Sequence, residues 1–143
     1  MPLLCTSCYY EDADVVLFTS SYYLSNKTGR TLEVYMGEKF YGFAKDQWSV
    51  WLYTQSSYNF DEVSMERLMI EHPESFKDIS IYDVTDGDRV FLKTWTFAER
   101  DQDGKQFYDL SDCDLFVCDH RDVPPTELLY DYVFTVYPAD VGL

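Results

Sequence analysis

Four cysteines and one histidine are the residues of this chain whose types and spacing could do chemistry. Cys5 and Cys8 are separated by two residues, Cys113 and Cys118 by four, and His120 follows closely. Four thiolates from two such pairs can hold zinc tetrahedrally, so the sequence allows a zinc site. The wide spacing of the second pair and the acids around Cys113 disfavour it, and reduced thiols that pack as small apolar groups are the preferred interpretation.

The same residues offer a second chemistry, that of a thiol-dependent enzyme. Cys118 and His120 could act as nucleophile and base, because alternate residues of a strand share a face. Nothing in the sequence orients the base, and Cys5 and Cys8 lack the nearby positive charge that stabilises a thiolate. No phosphate-binding, dinucleotide-binding or serine-hydrolase pattern is present. We therefore expect no enzyme, with a zinc or thiol enzyme as the alternative.

No cofactor is expected from the remaining acidic motifs. Residues 99–104 begin like a calcium loop, but Leu110 stands where the loop needs a bidentate glutamate. The Asp-Gly pair at 103–104 predicts a turn with solvated carboxylates instead.

The negative charge of the chain is concentrated in its second part. The sequence has 26 acidic and 11 basic residues, for a net charge of −15. Residues 61–143 hold 20 acids and 7 bases, whereas residues 1–60 hold 6 and 4. Such a field attracts basic partners and opposes nucleic acid and anionic membranes. We expect the partner to be a basic protein, with no direct binding of nucleic acid or membrane.

The acids between positions 101 and 122 are predicted to form one negative face, joined by acids of the 61–74 segment. They are Asp101, Asp103, Asp109, Asp112, Asp114, Asp119 and Asp122. The last four are expected in a solvated loop. Phe116 and Tyr130 are predicted to supply the desolvated anchors that screened charges cannot.

These features favour a small binding or inhibitor protein that occupies a basic, nucleic-acid-binding surface of a partner. Duplex DNA carries one negative charge per roughly 1.7 Å of axis, and a rigid array of carboxylates can imitate that spacing. Acidic phage inhibitors of the anti-restriction and anti-CRISPR type are a physical analogy for this behaviour. An immunity protein that neutralises a toxin nuclease is the alternative within the same class.

The length and composition predict a single α+β domain dominated by antiparallel sheet. With 143 residues, 46% of them hydrophobic, the chain is long enough to bury a real core. No apolar run approaches 18 residues, so no transmembrane helix is expected. The first residues are too short and uncharged for a signal peptide, which predicts a cytoplasmic protein.

Alternation and turn signals predict most of the elements as strands. Strands are expected at 13–23, 31–36, 39–44, 47–54, 79–84, 89–97, 106–110, 115–118 and 132–137. Glycines at 37 and 87 indicate hairpin turns. The strand at 47–54 is apolar on both faces and is therefore predicted to be central.

One main helix is predicted over 61–72, and a short helix near 126–131. Asn59 can cap the main helix and Pro73 can end it. The sheet core is predicted to contain Val15, Leu17, Trp48, Val50, Leu52, Phe91, Trp95 and Phe97.

Overall fold

The computed structural model describes residues 16–120 and 126–143, and within them the chain forms eight strands and one α-helix. The strands are β1 (Val16–Asn26), β2 (Leu32–Met36), β3 (Lys39–Ala44), β4 (Ser49–Ser57), β5 (Asp78–Asp83), β6 (Val90–Thr96), β7 (Asp114–His120) and β8 (Thr126–Val136). The helix, α1, spans Met65–Glu71, and 3₁₀ helices lie at Phe60–Glu62, Phe97–Glu99, Leu110–Asp112 and Pro138–Val141.

The strands form two four-stranded sheets, which confirms the predicted α+β class with β-sheet as the main component. The first sheet has the order β4-β1-β8-β7, and the second has the order β3-β2-β5-β6. The second sheet is antiparallel throughout. In the first sheet, β1 and β8 run parallel along their whole lengths, from Val16 opposite Thr126 to Asn26 opposite Val136.

Two predicted hairpins are confirmed. Gly37 occupies the turn between β2 and β3 with φ of +58°, where a residue with a side chain would be strained. A Cβ there would also lie 3.0 Å from the carbonyl oxygen of Glu74. Gly87, with φ of +91°, serves the connection between the antiparallel strands β5 and β6. Glycine is therefore required at both positions by backbone geometry.

The two sheets share one cluster of buried side chains. Alternate residues of the second sheet are buried, among them Val34, Ile81 and Trp95. They meet residues of the first sheet, and the rings of Trp95 and Phe134 lie edge to face with centroids 5.0 Å apart. Period-2 alternation of apolar residues thus places the core between the sheets.

The predicted helix at 61–72 is shorter and divided in two. Asn59 accepts a hydrogen bond from the N–H of Asp61 and caps only the 3₁₀ helix. Ser64 caps α1 by accepting from the N–H of Arg67. Val63 between them is buried, and its non-helical backbone, with φ of −105° and ψ of 40°, separates the two elements. Within the described ranges no helix is long and apolar enough to cross a membrane.

Two other predicted elements are wrong. The short helix near 126–131 is part of β8, held between β1 and β7 on its two edges. The strand at 106–110 does not form. Phe107 and Tyr108 are instead adjacent buried residues that lead into the 3₁₀ helix Leu110–Asp112.

The predicted central strand at 47–54 corresponds to β4, which is an edge strand of the first sheet. Trp51 in β4 and Trp48 just before it are both more than half exposed. Of the predicted core, Val50, Leu52 and Trp95 are buried, Leu17 and Phe97 are half-buried, and Phe91 is exposed. Val15 lies outside the described residues.

Candidate partner-binding surface

Strand β7 carries three consecutive exposed apolar residues at an edge of the first sheet. Leu115, Phe116 and Val117 are 49%, 60% and 55% exposed, and β7 pairs with β8 on one side. In the described part of the chain its other side has no neighbouring strand. An edge with this composition is unusual, because natural proteins protect edge strands with charge, proline or a covering segment.

The alternation of the strand divides these residues between the two faces of the sheet. Asp114 and Phe116 share one face, and Leu115, Val117 and Asp119 share the other. Asp114 and Asp119 are both exposed, so one carboxylate lies near each end of the apolar run. These two acids lie in a strand and not in the predicted solvated loop, as a consequence of the pairing of β7 with β8.

Tyr130, the second predicted anchor, does not join Phe116. It pairs with Val117 across the ladder, whereas Phe116 pairs with Asp131, so the two aromatic side chains point to opposite faces. The ring of Tyr130 packs on Phe60, with centroids 5.3 Å apart, and is half-buried. Of the two predicted anchors, Phe116 is therefore the exposed one.

The segment 97–113, here called the acidic loop, joins β6 to β7. Two of its carboxylates accept hydrogen bonds from other residues of the loop. Asp109 accepts hydrogen bonds from the N–H and hydroxyl of Ser111, at 3.1 and 2.7 Å, and these bonds lower the pKa of its carboxyl. Asp112 accepts from the N–H of Gln106 at 2.8 Å. Asp112 thus lies in the 3₁₀ helix Leu110–Asp112 and organises the loop, which corrects its predicted place in a solvated segment.

The two basic residues of the acidic loop are occupied inside the fold. Lys105 forms an ion pair of 3.1 Å with Asp140 and donates to the carbonyl of Thr135. Arg100 donates to the carbonyl of Phe97 and stacks on its ring, 3.9 Å from the centroid. Among the described residues neither base forms an ion pair with Asp101 or Asp103, and both acids are exposed at the turn before Gly104.

One acid of helix α1, Glu66, lies beside acids of the acidic loop. Glu66 lines a shallow depression together with Asp101 and Asp109, and Arg100 is also at its wall. Of the seven acids predicted to form one face, Asp122 lies outside the described residues. The structure groups Asp101 with Asp109, and places Asp114 and Asp119 on opposite faces of β7.

The second cysteine pair, Cys113 and Cys118, does not resemble the knuckle of a zinc site. Cys113 packs against the core, and Cys118 is an exposed residue of β7. Burial, with the charges of Asp112 and Asp114, raises the pKa of the Cys113 thiol to about 12, which disfavours the thiolate that zinc requires.

In residues 16–120 and 126–143 no group of three His, Cys, Asp or Glu residues is arranged to hold a metal ion. Cys5 and Cys8 lie outside the described residues, as does the side chain of His120. The zinc site therefore stays a prediction.

Sequence reasoning missed two apolar features of the surface. The first is the pair Leu115 and Val117, which flank Phe116. The short apolar run between Asp114 and Asp119 could have indicated a strand whose two faces are both exposed. The second feature is a row of aromatic rings on the second sheet, formed by Tyr35, Phe40, Phe43, Tyr82 and Phe91. Its signal was the aromatic residues at alternate or facing positions of β2, β3, β5 and β6.

Comparison of the chain with protein-family models, with curated proteins and with solved structures finds no match.

Proposed function

We propose that this protein is a small acidic binding protein that occupies a basic, nucleic-acid-binding surface of a partner protein and so inhibits it. The observation that carries the proposal is the exposed apolar run Leu115–Val117, placed between two aspartates at a sheet edge beside the acidic loop. Interfaces combine an apolar anchor with a polar rim, and both parts are adjacent here.

The edge position suggests how the contact is made. A partner strand can add to β7 through main-chain hydrogen bonds, while pockets in the partner receive Phe116 on one face and Leu115 or Val117 on the other. Main-chain pairing supplies affinity that is independent of charge. The carboxylates around the strand then select a basic partner and speed the encounter.

The acidic loop supplies the imitation of a nucleic acid. Asp109 and Asp112 hold residues 106–112 by hydrogen bonds from Ser111 and Gln106, and the N–H of Gln102 donates to the carbonyl of Glu99 across the turn that carries Asp101. Ordered carboxylates lose little conformational entropy on binding, which favours a mimic over a disordered acidic tail.

The test compares charge reversals of equal size on two surfaces. The double variant Asp101→Lys, Asp114→Lys changes the proposed surface, and the control Glu38→Lys, Asp88→Lys makes the same change in net charge elsewhere. Partners are captured from a lysate of the source cells with each immobilised protein. A duplex DNA probe is then titrated onto each captured protein in the presence of wild type, of the control or of the Asp101, Asp114 variant.

The expected result is a captured basic protein whose DNA binding is competed by wild type and by the control, but not by the Asp101, Asp114 variant. Affinity should fall when salt rises from about 0.1 M to about 1 M, since the Debye length shortens from about 10 Å to about 3 Å. Phe116→Ser should weaken binding as well, by a faster dissociation. Equal binding by both reversal variants, or simultaneous binding of DNA, would refute the proposal.

A further inference from the structure

The second sheet carries a continuous row of aromatic rings on the face that is turned away from the core. Each ring contacts the next, in the order Phe43, Phe40, Tyr35, Tyr82 and Phe91, with centroid separations of 5.1, 5.4, 5.5 and 5.6 Å. These five residues, here called the aromatic face, span all four strands of the sheet and its edge-to-edge width. Phe40, Phe43 and Phe91 are 42%, 57% and 55% exposed.

The five residues of the aromatic face are uncharged, in a protein of net charge −15. Its rings contact Arg89, whose guanidinium lies 3.7 Å from the centroid of Tyr82 and 4.8 Å from that of Tyr35. Arg89 is paired with Glu33 at 3.2 Å, and Glu33 also accepts from the hydroxyl of Tyr35. The charges of Arg89 and Glu33, which lie among the rings, therefore balance one another.

The geometry of the rings favours a protein as the occupant. Neighbouring rings are inclined by 64° to 80°, so they present alternating edges and faces and share no common plane. A sugar or a nucleobase stacks on an open ring face, whereas side chains of another protein can interlock with inclined rings. Aromatic residues and arginine are also the residue types enriched at the centres of protein interfaces.

We infer that the aromatic face binds a second copy of this chain and forms a symmetric dimer. Two molecules of charge −15 repel one another. The repulsion at the contact is smallest where the touching surfaces carry no unbalanced charge, as on the aromatic face. A two-fold contact requires the same surface from both copies, and identical neutral faces satisfy this without a complementary charge. A basic partner would have no electrostatic attraction to a face whose charges are already paired.

The area available predicts a weak, reversible dimer. An aromatic side chain can bury about 150–250 Å², so three half-exposed phenylalanines offer about 300 Å². A standard interface buries about 800 Å² on each partner. The remaining area must come from the backbone and side chains between the rings, and we expect a dissociation constant in the micromolar range or above.

Sedimentation equilibrium on the full chain, from about 1 µM to about 1 mM, tests the inference. Wild type should shift from monomer to dimer over this range. The dimer should tighten as salt increases, because screening weakens the repulsion between protomers. This dependence is opposite in sign to that expected for the basic partner, so failure of one proposal is distinguishable from failure of the other.

Two variants and one control locate the contact. Phe43→Asp and Phe91→Ser should each weaken the dimer at least about tenfold, since each removes an exposed anchor from the row. Phe116→Ser changes an equally exposed phenylalanine of the first sheet and should leave the dimer unchanged. If a variant does not fold, hydroxyl-radical footprinting of wild type gives the same answer, with Phe43 and Phe91 protected at high concentration and Phe116 not.

A protein that stays monomeric at every concentration and salt would overturn the inference. So would a dimer that is lost in Phe116→Ser and kept in Phe43→Asp, because that result places the contact on β7.

Discussion

The side-chain amide of Asn26 donates a hydrogen bond of 2.8 Å to the carbonyl of Ala44, which joins the last residue of β1 in the first sheet to the last residue of β3 in the second. The same amide donates to the carbonyl of Arg30, and its oxygen accepts from the N–H and hydroxyl of Thr28. Asn26 is fully buried, and all its hydrogen-bonding positions are satisfied. It is thus a polar link between the two sheets.

Removing this link should be costly for stability. Asn26→Ala leaves two carbonyls and two Thr28 donors without their partner in a buried region, so we expect a loss of about 3 kcal/mol or more in the free energy of unfolding. Asn59→Ala is the matched control, because it removes an exposed cap and should cost about 1 kcal/mol. Urea unfolding of the three proteins measures both values. Similar losses in the two variants would contradict the role assigned to Asn26.

Asp83 makes folding stability depend on pH in the acid range. Its carboxylate accepts from Arg30 at 2.7 Å and from the N–H and hydroxyl of Thr85 at 2.9 and 2.6 Å. Burial by itself raises the pKa of Asp83, but these hydrogen bonds outweigh burial, and the pKa lies below its ordinary value of 3.8. The stabilisation is therefore complete above that value and is lost as the pH falls through the lower pKa of the folded state.

Asp83→Asn should accordingly be less stable than wild type at pH 7, and the difference between them should shrink as the pH falls below about 4. Urea unfolding at a series of pH values measures this difference. Asp88→Asn removes an exposed carboxylate from the connection that follows β5 and serves as the control. A constant gap between wild type and Asp83→Asn across the acid range would show that the carboxylate is not the source.

The hairpins of the second sheet could be predicted because their signals are local. Gly37 and Gly87 stand between alternating apolar runs, and a turn of this kind fixes the register of its own two strands. No local signal exists for the pairing of β1 with β8, which joins residues more than a hundred positions apart. The segment 128–130, Leu-Leu-Tyr, is compatible with a helix or a strand, and the two neighbouring strands decide in favour of a strand.

The candidate site shows the same division between local and distant information. An excess of acid in the second part of the chain is visible in the sequence, and it predicts a basic partner. The position of each carboxylate depends on hydrogen bonds and strand pairing that cannot be predicted from the sequence. Asp112 is held by the N–H of Gln106, and Asp114 and Asp119 are separated by the pleat of β7.

Two tryptophans that look alike in the sequence should respond differently to truncation. Trp95 is 2% exposed and its indole N–H donates to the carbonyl of Lys105, whereas Trp48 is 56% exposed. We expect Trp95→Ala to lower the free energy of unfolding by about 3–5 kcal/mol, and Trp48→Ala by less than about 1 kcal/mol. Thermal and urea unfolding measure both. An unchanged melting temperature in Trp95→Ala would overturn its place in the core.

Cys113 should be chemically inert in the folded protein and reactive once it unfolds. Its pKa is raised to about 12 by burial and by the charges of Asp112 and Asp114, from an ordinary value of 9.0. The thiolate is the reactive form, so at pH 8 alkylation of Cys113 by iodoacetamide should be at least about a hundredfold slower in the folded state than in urea.

The experiment uses a variant with Cys5→Ser and Cys8→Ser, so that Cys113 and Cys118 are the remaining thiols, and mass spectrometry follows each one. Cys118 is exposed on β7 and serves as the internal reference for access. Asp112→Asn and Asp114→Asn would each remove a charge that raises the Cys113 pKa, but burial is the larger cause, so labelling should accelerate only modestly in these variants. Rapid labelling of Cys113 in the folded protein would show that this thiol is accessible and ionised, and would restore thiol chemistry as a candidate for this part of the molecule.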